Sequence, residues 1–210
     1  MLIDQLSFEQ LRLVFVVYIS ALVPLILIPL LHYKNRIPSW SLHVYMLFFI
    51  ICALGWEVWF NYGIINGDSV DTRRVEILSI FLPIHINWLL NSLADSGTIC
   101  LGGLYLAINI RGEGNNVLLR WDWTFFFILL SIFIAQNLFV EMFLYHDQLS
   151  IGKSMSWAPL SPLGPELNPT LFTFFQRKVC LQNQIPWIIM TPLFYGYLIF
   201  YLNKRNQLIN

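Results

Sequence analysis

Three uncharged, mostly apolar runs limit what this chain can become. Nineteen residues separate Arg12 from His32, eighteen run from Trp123 to Val140, and twenty-five from Val179 to Asn203. A helix needs about 20 largely apolar residues to cross a bilayer. Composition points the same way, because only 11% of the 210 residues are charged and 57% are hydrophobic. Soluble domains carry about 25% charged residues. The expected fold is an all-α polytopic membrane protein. Its five transmembrane helices, near 11–31, 41–65, 85–109, 121–145 and 180–203, form one bundle with an intramembrane pocket, a single domain over residues 1–210.

The first run reads as a retained helix, since MLIDQLSFEQ is acidic and no small-residue cleavage site follows the apolar stretch. ILSIFLPI, residues 77–84, reads either as a lip at the interface or as extra turns of the third helix. DQLSIGKSMSWAPLSPLGPELNP reads as a long loop before the fifth helix. Pro24, Pro29, Pro186 and Pro192 predict kinks in helices one and five. Cys52, Cys100 and Cys180 show no paired spacing and read as packing residues, without a disulfide or a metal site. Each face carries six basic residues, and those on the C-terminal face sit in the shorter loops. The positive-inside rule therefore favours a cytoplasmic C-terminus, in a bacterial inner membrane or the endoplasmic reticulum. Zero net charge offers nothing to nucleic acid.

Three acids fall inside the predicted spans. Glu57 lies in ALGWEVWFNYG, Asp95 in LNSLADSGTIC and Glu141 in AQNLFVEMFLY. At a helical rise of about 1.5 Å per residue they lie roughly 12, 15 and 7 Å from the same face. Each has an amide four residues away, on its own side of the helix: Asn61 for Glu57, Asn91 for Asp95 and Asn137 for Glu141. Asn87 lies a further turn from Asn91, and Gln182, Asn183 and Gln184 enter at about the same level. Unpaired polar atoms facing lipid cost several kcal/mol, so these groups must share an interior. Interhelical hydrogen-bond glue would explain the amides. It explains three acids less well, because no basic residue lies in the predicted spans of helices two to four. At least one carboxyl is therefore expected to hold a proton beside an ionised neighbour, the arrangement acid–base chemistry uses. Trp56, Trp59, Trp88 and Trp187 lie in the same half. They read as an aromatic belt or as indole walls that steady a cation.

These segments are similar to those of the emopamil-binding-protein, or EXPERA, family of four- or five-helix membrane proteins, which includes sterol isomerases. EVWFNY (57–62), ADSGTICLGGLY (94–105), QNLFVEMFLYHDQLS (136–150) and NQIPWIIMTP (183–192) resemble its helix-two to helix-five segments in order, over about residues 40–203. The resemblance implies that Glu57 and Asp95 move a proton on and off a sterol-like double bond, with Gln184 and Trp187 lining the pocket. The isomerases carry a His one turn before the Glu, where this chain has Ala53, and helix five needs about one extra turn to align.

The leading expectation is a cofactor-independent isomerase or cyclase acting on a sterol-like, terpenoid or other unsaturated lipid. Glu57, Asp95 and Glu141 are its catalytic candidates. Trp56, Trp59, Asn61, Trp88, Asn91, Asn137, Gln184 and Trp187 are its substrate-binding candidates. Its expected partners are a hydrophobic small molecule or lipid and the surrounding membrane lipid, and the reading allows a homodimer. The alternative is a lipid- or sterol-binding protein of the same fold without catalysis. Haem ligation would need His32, His43, His85 and His146, all at the membrane faces rather than inside helices. No zinc-type His spacing is present. A proton-coupled transporter would use such acids, but no internal repeat supports one.

Overall fold

A computed structural model describes residues 5–65, 67–153 and 165–209. The first helix, α1 (Phe8–Tyr33), begins earlier than the apolar run suggests, because SFEQ is a capping box. The Ser7 hydroxyl accepts from the Gln10 amide at 3.3 Å, and the Gln10 side chain accepts from the Ser7 amide at 3.0 Å. The helix runs on through Pro24 and Pro29.

The second expected span is broken rather than continuous. α2 (Trp40–Leu54) ends at Gly55, and α3 (Trp56–Tyr62) continues at an angle of 44°. The cause is local. A Cβ at Gly55 would lie 2.7 Å from the Ile51 carbonyl oxygen, a contact that only glycine avoids. Trp88 Nε1 donates to the Ala53 carbonyl at 2.8 Å, satisfying one of the acceptors that a helix end leaves open.

Two short helices, α4 (Val70–Arg73) and α5 (Leu78–Phe81), follow. Of the two readings of residues 77–84, extra turns of the third helix are not what is seen. Pro83 separates α5 from the next helix, and Leu78 and Leu82 are fully buried. Tyr18 and Arg74 bond the Phe81 and Leu82 carbonyls, at 3.1 and 2.9 Å. Burial also pushes the Arg74 guanidinium down to about 10.

The third span is α6 (Ile84–Ala94), a π-helical stretch (Asp95–Gly102) and α7 (Gly103–Arg111). The fourth is α8 (Trp123–Val140), which passes into a π turn (Glu141–Tyr145) and a 3₁₀ turn (His146–Gln148). Part of the loop that follows, residues 154–164, lies outside the described residues, as does Asp4.

The chain then forms a hairpin where a loop and the start of helix five were expected. β1 (Thr170–Phe174) pairs antiparallel with β2 (Arg177–Cys180), with Phe174 opposite Arg177. The two turn residues, Phe175 and Gln176, have φ of 43° and 66°. The last helix, α9 (Ile185–Ile209), therefore starts five residues later than expected. Pro186 falls in its first turn, where no N–H is required, so it starts the helix rather than kinking it.

Four of these helical spans are long and apolar enough to cross a membrane, and five if α2 and α3 count as one bent span. α1 packs along α6 and the π stretch, α2 packs on the π stretch, and α7 and α9 both pack on α8. Tyr45 and Phe48 of α2, Leu104 of α7, Phe125 and Phe133 of α8 and Phe194 of α9 are buried in the shared core. The opposite face of α1, with Phe15, Ile19, Val23 and Ile26, is exposed and wholly apolar.

Candidate active site

The bundle holds a cavity of about 220 Å³ in the half nearest Arg12 and Asp147. Leu13, Val16, Val17 and Ser20 line it from α1. Their spacing of three, four and seven residues is that of one helix face. α3 contributes Glu57 and Phe60, and α6 with its π continuation contributes Asn87, Asn91, Ala94, Asp95, Thr98 and Ile99. α8 and the turns after it add Gln136, Asn137, Phe139, Val140, Leu144, Tyr145 and Gln148, and Trp187 closes the wall from α9.

Two of the three predicted acids meet here. Glu57 is buried, and its Oε2 accepts from Asn61 Nδ2 at 2.8 Å. The same amide nitrogen bonds the Glu57 carbonyl at 2.9 Å, so the four-residue spacing works as the sequence suggests. Asn87 Nδ2 donates to Asn61 Oδ1 at 2.7 Å and fixes which way that amide points. Asn91, one helical turn before Asp95, lines the cavity as well. Asp95 Oδ2 accepts the indole N–H of Trp56 at 2.8 Å. The Trp56 and Trp187 rings lie 5.3 Å apart between centroids, and Phe133 backs Trp187 edge-on at 5.2 Å. An aromatic wall thus stands beside the Asp95 carboxyl. No Lys, Arg or His is among the described residues lining the cavity.

Glu141 is placed elsewhere. It is fully buried but does not line the cavity. Its Oε1 accepts from the Cys180 amide at 3.0 Å and from Asn183 Nδ2, and its Oε2 accepts from Gln184 Nε2 at 2.8 Å. Asn137 Nδ2 donates to Gln184 Oε1 at 2.8 Å and to the Asn183 carbonyl at 2.7 Å. This network ties the end of α8 to the start of α9. Glu141 and Gln184 serve as interhelical glue, while Asn137 reaches both the network and the cavity wall.

The indoles divide in the same way. Trp56 and Trp187 belong to the site. Trp88 serves the α2 break, and Trp59 is 52% exposed and bonds nothing in the cavity. Asn61 acts from behind Glu57, whereas Asn91 lines the cavity directly.

Gln136, Thr98 and Tyr145 line the cavity without having been singled out as site residues. The signal for Gln136 was its place next to Asn137, one helical turn before Val140. Thr98 Oγ1 donates to the Ser20 carbonyl at 2.6 Å, joining the third span to α1. The Tyr145 ring packs on Phe60, with centroids 5.0 Å apart.

Outside the cavity an ion cluster holds this end of the bundle. The Asp147 side chain has no exposed surface, and it pairs with Arg12 at 2.6 Å and with Arg177. The same two arginines bond the Phe143 and Met142 carbonyls, at 2.7 and 2.8 Å. α1, the end of α8 and the hairpin are thereby fastened together. Among the described residues no group of three His, Cys, Asp or Glu side chains is arranged to hold a metal ion.

The fold and site define a class: a helical bundle, apolar enough to span a membrane, with a two-carboxyl cavity between its helices. No family model matches the chain, and no curated protein or solved structure is significantly similar to it.

Proposed function

We propose that this chain is an integral membrane enzyme, an isomerase or cyclase that moves a proton on and off a carbon–carbon double bond of an unsaturated lipid. One observation carries the reading: Glu57 and Asp95 line a single cavity, with no cationic side chain among its described lining residues to neutralise them. Burying a carboxylate without a partner is costly, and a structural role would be served as well by amides. Two carboxyls on one cavity supply an acid and a base at once.

In the step this implies, one carboxyl gives its proton to an alkene carbon. A C–H bond forms, the π bond breaks, and a carbocation remains on the adjacent carbon. The indole faces of Trp56 and Trp187 stabilise that charge. The second carboxylate then removes a proton from a neighbouring carbon and the double bond re-forms one position along. In a cyclase, a second alkene of the same chain attacks the cation before the proton leaves. No electrons are gained or lost in either route. The proton returns across the cavity to reset the pair. The resemblance to sterol isomerases supports the same chemistry, while Ala53 replaces their additional His. The membrane placement, with five spans and a cytoplasmic C-terminus, belongs to this proposal.

The test is mass spectrometry of lipid extracts from cells expressing wild type, Glu57→Gln or Asp95→Asn at matched levels. An isomerised or cyclised lipid formed only by wild type supports the enzyme. Identical lipid profiles from folded proteins, together with lipid binding that Glu57→Gln abolishes, replace it with the non-catalytic binding protein.

A further inference from the structure

The cavity is open on one side, and the residues there define the way in. Among its lining residues, Val16 on α1 (36% exposed) and Phe139 on α8 (52% exposed) reach the surface, with Thr98 exposed between them. The open side is therefore the slot between α1 and α8. It lies beside the apolar outer face of α1, where acyl chains would lie in a membrane. Val16 is eight residues into α1, roughly 12 Å along the axis, so the slot faces hydrocarbon rather than the aqueous interface.

Size decides what enters. Pockets that bury a whole drug-sized ligand occupy about 300–1,000 Å³. At about 220 Å³ this cavity houses the reacting part of a lipid and leaves the rest in the slot and the bilayer. A four-ring sterol could insert only its short hydrocarbon side chain, which lies at the end opposite its hydroxyl, so that oxygen would stay outside. A linear chain can insert the end that bears its oxygen.

One polar group waits for it. Gln136 Nε2 is buried and has no hydrogen-bond partner, and among the described side chains with such an atom only Gln136 lines the cavity. Buried donors are normally paired, and an unpaired one costs roughly 1–3 kcal/mol. Two of the cavity's other amides are engaged, Asn87 on Asn61 and Asn137 on Gln184 and Asn183, whereas Gln136 keeps a buried donor without a partner. Gln136 is left for an acceptor oxygen brought in by the ligand.

Building on the lipid-enzyme reading, we infer that the substrate is a linear unsaturated lipid bearing a hydroxyl or carbonyl oxygen. It enters sideways between α1 and α8, its oxygen accepts from Gln136 Nε2, and its tail stays in the membrane. Gln136 is a specificity residue for that oxygen and takes no part in the proton transfer.

The experiment measures competition for tritiated geranylgeraniol on the whole chain reconstituted in nanodiscs. The competitors are the unlabelled alcohol, its deoxygenated hydrocarbon and cholesterol. Wild type should prefer the alcohol to the hydrocarbon by about tenfold, the ratio one hydrogen bond to an otherwise unpaired donor supplies. Cholesterol should not displace the probe. Gln136→Leu should bring the alcohol-to-hydrocarbon ratio close to one. Val16→Trp, whose side chain fills the slot from the lipid side without entering the core, should weaken binding of every linear ligand by at least tenfold. An unchanged ratio in Gln136→Leu overturns the assignment, as do equal displacement by cholesterol, wild-type binding in Val16→Trp, or no binding of the probe by the folded wild type. Glu57→Gln should keep the alcohol preference. If turnover is absent but the preference persists, the catalytic reading falls and the ligand assignment stands. Turnover with no preference overturns the ligand assignment and keeps the catalytic reading.

Discussion

Replacing Glu141 by glutamine should weaken the fold and leave the proposed proton transfer intact, and the structure gives the size of the effect on stability. The Glu141 carboxyl accepts three hydrogen bonds, from the Cys180 amide and Asn183 on one oxygen and from Gln184 on the other. A glutamine keeps one oxygen, which can still serve Cys180 and Asn183. Its NH2 then faces the Gln184 NH2. Flipping Gln184 does not repair the clash, because its own oxygen holds Asn137 Nδ2, and that amide would then meet a donor in turn. The mismatch is passed along the network and never absorbed. One lost bond and one donor–donor contact come to about 1–3 kcal/mol, since side-chain bonds inside membrane bundles average about 0.6 kcal/mol and charged acceptors are worth more. For a chain of this length each kcal/mol shifts the melting temperature by about 2–4 °C. Thermal unfolding in a mild detergent should therefore show a fall of about 3–10 °C for Glu141→Gln. Lipid turnover per folded molecule should stay near wild type. Glu57→Gln should do the opposite, because its oxygen still accepts from Asn61 and its NH2 turns into the cavity. An unshifted melting temperature with turnover abolished in Glu141→Gln would refute the division of labour between the two acids.

Asp147→Asn leaves two guanidinium groups facing a neutral amide. Because Arg12 and Arg177 keep 31% and 26% of their side-chain surface exposed, water recovers part of the loss. A destabilisation of about 1–3 kcal/mol is expected, short of the 3–5 typical of a fully buried pair, with faster amide exchange across the hairpin as its mark. Gly97→Ala puts a Cβ 2.4 Å from Pro24 Cβ and 2.7 Å from its Cγ, so α1 must move off the π stretch at a cost of about 1–3 kcal/mol. Gly102→Ala, whose Cβ meets nothing closer than 3.7 Å, should melt like wild type. Asp122 caps α8 by accepting from the Phe125 amide at 2.9 Å, and that bond, aided by Arg111, holds its carboxyl below the usual 3.8. Its contribution is complete above pH 3.8 and is lost as pH falls through the lower folded value. The acid-unfolding profile should therefore lack that step in Asp122→Asn.

Much of the bundle could be read from hydropathy alone, and its failures have local causes. The uncharged runs gave away three of the helices long and apolar enough to cross a membrane, α1, α8 and α9. The break at Gly55 was hidden because ALGWEVWF is as apolar on both sides of the bend as a straight helix would be. The hairpin was hidden for a different reason. A two-residue turn with positive φ at both positions normally shows as Asn-Gly or Asp-Gly, and here Phe175 and Gln176 occupy it. Tertiary contacts compensate. Phe174 packs edge-on against Phe143 at 5.2 Å, and Arg177 is tied to Asp147. At the site, four-residue spacing correctly paired Glu57 with Asn61. It could not separate Glu57 from Glu141, because both have an amide four residues away. What separates them is the neighbour supplied by another span: Asp95 and a cavity in one case, the Asn183–Gln184 turn in the other.

The two π segments explain how one bundle treats three similar acids differently. The α-helical turn opens at Asp95 in the third span and at Glu141 in the fourth, so each acid is the first residue of a wider turn. An i→i+5 turn shifts the phase of every residue after it, and such turns recur at functional sites. In the third span the shift brings Thr98 and Ile99 to the cavity beside Asp95, while Gly97 meets Pro24 of α1 closely enough that no Cβ fits. Close packing of α1 at one level and an open slot at the next are thus consequences of the same irregular turn. In the fourth span the turn leaves Leu144 and Tyr145 on the cavity wall and sends Glu141 toward α9. Inside a bilayer the backbone cannot borrow water for lost hydrogen bonds, and a π turn is the irregularity that still satisfies it. Acids placed where the helix changes pitch can point away from the phase their sequence spacing assigns. That freedom lets one carboxyl be held fast by amides while two others face the same cavity.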